Sequence, residues 1–145
     1  MPGNFFREEI PASLGEMESL EDLDLSNNQF YGGIPWKSDK LRSSLRVIKL
    51  SNNILHGHIL STDFNSTTTL WTLELDGNNF VGDIPNFSTF SSFLTQLDFS
   101  SNFLSGKLAR WLSNISYLSS ISLSNNYFKG TIPSDFCKLH ELGFL

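Results

Sequence analysis

The sequence predicts an α/β repeat solenoid with a parallel β-sheet on its concave face and short 3₁₀ or irregular segments on its convex face. The first observation behind this prediction is a fixed period, because one leucine recurs at intervals of 25, 25, 24, 24 and 24 residues. Such a period is typical of repeats that each form a strand and a return segment and that bury their apolar side chains only by stacking. The recurring residues are Leu20, Leu45, Leu70, Leu94, Leu118 and Leu142.

These leucines organise the 145 residues as one solenoid. We expect a partial repeat at residues 1–19 and the start of a further repeat at 142–145. Between them, complete repeats are expected at residues 20–44, 45–69, 70–93, 94–117 and 118–141. Each repeat is too short to fold by itself, so the stability of the chain is expected to come from contacts between neighbouring repeats.

Alternation of apolar and polar residues is the second observation, and it predicts the strand of each repeat. In the repeat that begins at Leu20, the apolar residues Leu23 and Leu25 are separated by Asp24 and preceded by Asp22. Successive side chains of a strand point to opposite faces, so the leucines are expected to point into the solenoid and the aspartates outward.

The third observation is a set of columns after the strand. An asparagine recurs where the chain leaves the sheet, and its carboxamide both donates and accepts, so we interpret the column as a structural ladder that pairs backbone groups of adjacent repeats. Two positions later an apolar residue is expected to stack as a spine, and two positions after that a glycine predicts a tight bend. The asparagines are Asn28, Asn53, Asn78, Asn102 and Asn126; the spine residues are Phe30, Leu55, Phe80, Leu104 and Phe128.

The return segments carry apolar residues spaced by three, which predicts short 3₁₀-like turns on the convex side. The sets are Leu14, Met17 and Leu20; Leu112, Ile115 and Leu118; and Phe136, Leu139 and Leu142.

Composition and charge argue against several classes of function. The net charge of -5 is spread over both signs and leaves no basic footprint for nucleic acid. No apolar run approaches the roughly 18 residues of a transmembrane helix, and the N-terminal residues lack the basic start and apolar segment of a secretory leader. We therefore expect no membrane segment in this chain and no nucleic-acid partner.

Catalysis and cofactor binding find no support in the sequence. No catalytic signature assembles around the three histidines. Two pairs, His56 with His58 and Cys137 with His140, could each supply two ligands of a metal ion, but each lacks the further ligands that a metal site needs. We expect a protein that is not an enzyme and that has no cofactor and no metal.

The complete motif L-x-x-L-x-L-x-x-N-x-L/F-x-G-x-I-P, seen for example from Leu20 to Pro35, resembles the plant extracellular subtype of leucine-rich repeat. This family includes receptor-like proteins, receptor kinases and secreted polygalacturonase inhibitors. The resemblance implies that the G-x-I-P part adds a second short strand beside the main sheet. Family ectodomains carry cysteine-containing caps, and receptors add a transmembrane helix. Neither occurs in these residues, so we expect an internal fragment of an ectodomain or the product of a truncated gene.

The outward strand positions on the concave face are the candidate partner-binding surface, because a stacked sheet presents many side chains on one rigid platform. We expect Glu74 and Asp98 to be solvent-facing. The same polar residues are also what the family motif carries whatever the ligand, so they are equally compatible with a purely structural pattern. The candidates are Asp22, Asp24, Val47, Lys49, Trp71, Thr72, Glu74, Gln96, Asp98, Ser120 and Ser122, with Trp71 at the strand edge.

Three N-x-S/T triplets predict glycosylation at Asn65, Asn86 and Asn114. All three lie in return segments, where sugar would leave the concave strands bare. Together with the resemblance, these triplets imply a location on the extracellular side of the plasma membrane.

The resemblance implies a non-catalytic recognition module, part of the ectodomain of a plant receptor-like protein or receptor kinase in signalling or defence. Its partners would be a protein or peptide ligand and a co-receptor. The alternative is a secreted inhibitor of a pathogen cell-wall-degrading enzyme, similar to the polygalacturonase inhibitors. A hydrophobic segment after the last repeat of the full-length gene would distinguish the two.

Overall fold

A computed structural model of the chain describes residues 1–35, 44–59, 69–86 and 93–145. Within these residues, short strands from successive repeats build two separate parallel sheets. Alternate strands form a five-stranded sheet in the order β1-β3-β5-β7-β9 and a four-stranded sheet in the order β2-β4-β6-β8. The strands are β1 (Asp22–Asp24), β2 (Tyr31–Gly32), β3 (Val47–Lys49), β4 (Ile54–His58), β5 (Thr72–Glu74), β6 (Asn79–Gly82), β7 (Gln96–Asp98), β8 (Phe103–Leu104) and β9 (Ser120–Ser122).

The five-stranded sheet aligns equivalent positions of every repeat. Asp22 pairs with Val47, and Val47 pairs in turn with Thr72, so the offset between partners equals the sequence period. In each strand the middle residue is buried and its two neighbours are not, which is the alternation of a sheet with one face on the core. The buried middle residues are Leu23, Ile48, Leu73, Leu97 and Ile121. The predicted fold class is therefore confirmed.

The core runs along the solenoid between the two sheets and the return segments. Behind the five-stranded sheet, the second inward residue is also buried in four repeats, as Leu50, Leu75 and Phe99 illustrate, and Leu123 in the last repeat is partly buried. The spine residues line the opposite wall, where Phe30, Leu55, Phe80 and Leu104 are at most 3% exposed and Phe128 is partly buried. Because every repeat contributes to one continuous core, loss of a single spine side chain affects the repeats on either side of it.

The second sheet lies earlier in the repeat than the resemblance implied. β4, β6 and β8 contain the spine residue, and β2 begins one residue after it. β2 and β6 end at the glycine, and the Ile-Pro residues that follow Gly32 and Gly82 lie outside the sheet. A second short strand is present as expected, but it includes only the glycine end of the G-x-I-P part and not the Ile-Pro. The strand ends before the proline because proline has no N–H for a strand ladder, and the positive φ of +88° at Gly82, the last residue of β6, bends the chain away from the sheet.

The convex side contains 3₁₀ helices at Ala12–Glu16, Arg110–Asn114 and Ser134–Lys138, which confirms the predicted turns. Pro11 and Pro133 immediately precede two of these helices with φ values of -62° and -59°. Proline presets this φ and lacks only an N–H that the start of a helix would leave unpaired, so Ile-Pro directs the chain into the helix. In the described part of the chain, no helix has the length and apolar character needed to span a membrane.

Candidate functional site

The five-stranded sheet brings the predicted concave positions together in two columns. In each pair of neighbouring strands, the first residues face each other and the third residues face each other across the parallel register. One column contains Asp22, Val47, Thr72, Gln96 and Ser120, and the other contains Asp24, Lys49, Glu74, Asp98 and Ser122. Asp22 is exposed and the other nine are intermediate in burial, so all ten contribute to one outward face.

Glu74 interacts with side chains of both neighbouring strands, which the sequence did not predict. Its Oε1 lies 3.0 Å from Lys49 Nζ and accepts a hydrogen bond of 2.8 Å from Gln96 Nε2, and its side chain is 15% exposed. The expectation that Glu74 faces solvent was therefore wrong, because its neighbours on β3 and β7 both reach it. Glu74 joins three strands, and its charge is already compensated by Lys49.

Asp24 and Asp98 use one carboxylate oxygen each to close the turn after the strand. The Ser26 N–H and hydroxyl donate to Asp24 Oδ1 at 3.0 and 2.6 Å, and the Ser100 N–H donates to Asp98 Oδ1 at 2.9 Å. Burial opposes ionisation of Asp24, but the two hydrogen bonds from Ser26 outweigh it and hold the pKa of that carboxyl below its usual value. Both carboxylates therefore have a structural role as well as an outward position.

Trp71 lies at the edge of the sheet, where it is 46% exposed. The Arg46 guanidinium stacks over its ring at 5.1 Å from the centroid, and Arg46 Nη1 lies 3.4 Å from Glu21 Oε2. Trp71 also borders an open cavity of about 290 Å³ that is lined by Phe93, Thr95 and Tyr117. Sequence reasoning singled out Trp71 but missed Phe93 and Tyr117. A signal was available, because both immediately precede the leucine that opens the next repeat, 24 residues apart.

The asparagine column connects adjacent repeats through backbone groups. Asn78 Nδ2 donates to Leu50 O of the preceding repeat at 2.9 Å and to Leu75 O of its own repeat at 3.1 Å, while its Oδ1 accepts from the Leu55 N–H at 3.1 Å. Asn53 and Asn102 repeat this arrangement and are buried, as is Asn28. Asn126 makes equivalent bonds but is only partly buried.

A second column, which sequence reasoning missed, immediately precedes these asparagines. Asn27, Asn52, Ser101 and Asn125 have φ values between 53° and 55°, and Gly77 occupies the equivalent position with a φ of 63°. This left-handed backbone turns the chain out of the sheet and presents the next asparagine to the core. The signal in the sequence was the recurrence of Asn and Gly, the two residue types that adopt this conformation most readily.

The predicted glycosylation positions lie outside both sheets where they are described. Asn114 is exposed and is the last residue of the 3₁₀ helix Arg110–Asn114, and Asn86 is exposed after the Ile-Pro of its repeat. Asn65 falls outside the described residues. Neither Asn86 nor Asn114 belongs to the two columns of the concave face.

The histidine and cysteine pairs occupy exposed positions. His56 and His58 lie on β4, while Cys137 and His140 lie at and just after the last 3₁₀ helix. The described residues contain no group of three or more His, Cys, Asp or Glu side chains placed to hold a metal ion.

Comparison with protein families finds the model for the Leucine Rich Repeat at residues 19–41, 93–115 and 117–139. Receptor-like protein 35 of Arabidopsis thaliana is 39% identical to this chain over 111 residues, which is 77% of this chain and 12% of that protein. The chain thus spans only a small part of this relative.

Solved plant receptor structures share the fold over the whole chain. A structure described as a TDR receptor superposes with a TM-score of 0.91 at 29% identity, covering 100% of this chain and 25% of that one. The Arabidopsis receptor kinase HAESA, in complex with the peptide hormone IDA and the co-receptor SERK1, superposes with a TM-score of 0.86 at 28% identity, covering 100% and 24%. Repeat motif, relatives and fold agree, and the chain belongs to the plant extracellular type of the leucine-rich repeat family.

Proposed function

We propose that the chain is part of the ectodomain of a plant cell-surface receptor-like protein or receptor kinase, on the extracellular side of the plasma membrane. In this role its concave sheet binds a protein or peptide ligand, a co-receptor joins the complex, and the output is signalling or defence. The proposal draws support from the relatives named receptor-like proteins and from the peptide and co-receptor in the HAESA complex.

The observation that carries the proposal is the alignment of the two columns on the five-stranded sheet. Ten side chains from five repeats stand on one rigid backbone, so a ligand can contact many of them with little loss of conformational freedom in the protein. Asn114, a predicted glycan carrier, lies on a 3₁₀ helix outside this sheet, which leaves the face open to a partner.

The proposal is tested with the whole chain, secreted in glycosylated form and immobilised to capture peptides from plant apoplastic fluid. Captured peptides are identified by mass spectrometry, resynthesised and titrated against three proteins: wild type, the double variant Val47→Arg/Thr72→Arg, and Asn114→Gln. Val47 and Thr72 are neighbours in the first column. We expect the double variant to weaken binding at least tenfold by blocking the face, and Asn114→Gln to leave it unchanged.

The opposite ranking would refute this assignment of the site. If Asn114→Gln lost affinity while the double variant kept it, the ligand would contact the return segments rather than the concave sheet. Circular dichroism and thermal melting of each variant show whether a loss of binding is a loss of folding.

A further inference from the structure

The residues around the aromatic cavity beside Trp71 are positioned by the repeat and by hydrogen bonds to the backbone. Phe93 and Tyr117 occupy the same position in consecutive repeats, and Thr95 lies between Phe93 and the start of β7. The Thr95 N–H and hydroxyl both donate to the Trp71 carbonyl, at 2.8 and 3.0 Å, which fixes the floor of the cavity. The Arg46 guanidinium stacks over the Trp71 ring. A ligand group that enters would therefore meet a surface that requires little ordering.

The three aromatic side chains remain open to solvent although they lie together. Trp71, Phe93 and Tyr117 are 46%, 52% and 59% exposed. Clustered exposed aromatics are characteristic of binding surfaces, since large rings supply contact area at a small conformational cost. The cavity of about 290 Å³ is at the lower limit of the roughly 300–1,000 Å³ that is usual for small-molecule sites, so it suits one amino-acid side chain.

The cavity adjoins the concave columns along the chain, through Thr95. Thr95 is followed directly by Gln96 on β7, and Asp98 lies three residues beyond Thr95. At about 3.3 Å per residue, Asp98 is roughly 10 Å from the cavity along the strand. An extended peptide covers this distance in about three residues.

The charges of the neighbouring protein side chains indicate which kind of ligand residue lies beside the apolar group in the cavity. Arg46 is compensated by Glu21 and Glu74 is compensated by Lys49, whereas Asp98 has no basic partner among the residues that the structure describes. One oxygen of Asp98 accepts from the Ser100 N–H, which leaves the carboxylate charge uncompensated. A ligand cation at this position would form a charge-assisted hydrogen bond.

We infer that the cavity formed by Trp71, Phe93, Thr95 and Tyr117 anchors an aromatic or large aliphatic side chain of a peptide ligand, and that Asp98 binds a Lys or Arg two to four residues away from it. The inference rests on the proposed function and specifies the chemistry of its ligand.

The test uses a phage-displayed library of random 12-residue peptides, selected on the whole chain and then resynthesised for titration. We expect the enriched peptides to combine an aromatic or aliphatic residue with a basic residue at this spacing. Tyr117→Ser and Phe93→Ser should each weaken binding at least tenfold, and Asp98→Asn at least fivefold. Asp135→Asn is the matched control, because this carboxylate pairs with Lys138 within the last 3₁₀ helix, and its loss should leave binding unchanged.

A charge exchange in the ligand provides a second measurement that does not depend on weakened variants. A peptide in which Glu replaces the basic residue should not bind the wild-type protein. The same peptide should bind the variant Asp98→Lys. The inference would be overturned by peptides whose affinity falls with Val47→Arg/Thr72→Arg but does not change with Tyr117→Ser or with the charge exchange. That result would leave the proposed function intact. Failure to enrich any peptide would count against both.

Discussion

The asparagine ladder leads to a quantitative prediction for Asn78→Ala. Asn78 is 5% exposed and lies in the middle of the described repeats. Its Nδ2 contacts the carbonyls of Leu50, Leu75 and Asp76, and its Oδ1 accepts from the Leu55 N–H. Truncation to alanine removes all of these bonds without altering the backbone directly.

The loss of stability depends on which backbone groups keep another hydrogen-bond partner after the substitution. Leu50 O still accepts from Asn53 Nδ2 at 3.0 Å, and Leu75 O still accepts from Asn102 Nδ2 at 3.0 Å. The Leu55 N–H, in contrast, has Asn78 as its acceptor and belongs to a residue that is 0% exposed. An unsatisfied buried group costs about 1–3 kcal/mol, so we expect the free energy of unfolding to fall by that amount.

Urea denaturation followed by circular dichroism measures this loss. Ser124→Ala, at an exposed position, serves as the control and should shift the midpoint little. Asn126→Ala should fall between the two, because Asn126 is partly buried and water can reach the groups that it leaves unpaired. Equal urea midpoints for Asn78→Ala and Ser124→Ala would show that the carboxamide column does not stabilise the solenoid.

Three further predictions follow from burial and charge. Phe80→Ala should lower the free energy of unfolding by about 3–5 kcal/mol, because it opens a cavity at a fully buried spine position. Phe103→Ala should lower it less, because that side chain is 46% exposed. Thermal unfolding that ranks the two variants the other way would contradict the assigned register. Glu74→Lys should lower the free energy of unfolding by about 1–3 kcal/mol because it breaks bonds across three strands, while Asp22→Lys at an exposed position should be nearly neutral by chemical denaturation. The pKa of Asp24 is lowered in the fold, so its ionised form stabilises the fold above the unfolded pKa of about 3.9, and this contribution disappears as the pH falls through the folded pKa. Asp24→Asn should therefore lose less stability than wild type between pH 5 and 3. Parallel curves of stability against pH for the two proteins would contradict this.

The sequence by itself determined the register of the main sheet and the two columns of the concave face. Parallel strands in a solenoid pair equivalent positions of successive repeats, so counting the period from Leu20 was enough to place Asp22 opposite Val47 and Val47 opposite Thr72. The buried spine at Phe80 and the asparagine ladder at Asn78 follow from the same count, because periodicity constrains every repeat in the same way.

Only the tertiary structure decided what the individual side chains do. Glu74 is compensated because Lys49 and Gln96, 25 residues before and 22 residues after it, both reach its carboxylate. The aromatic cavity exists because Trp71, near the start of repeat 70–93, meets Phe93 and Tyr117, which end the repeats 70–93 and 94–117. The period determines where each backbone position lies, whereas burial and charge at the surface depend on which variable side chains happen to meet between repeats, and no single repeat contains that information.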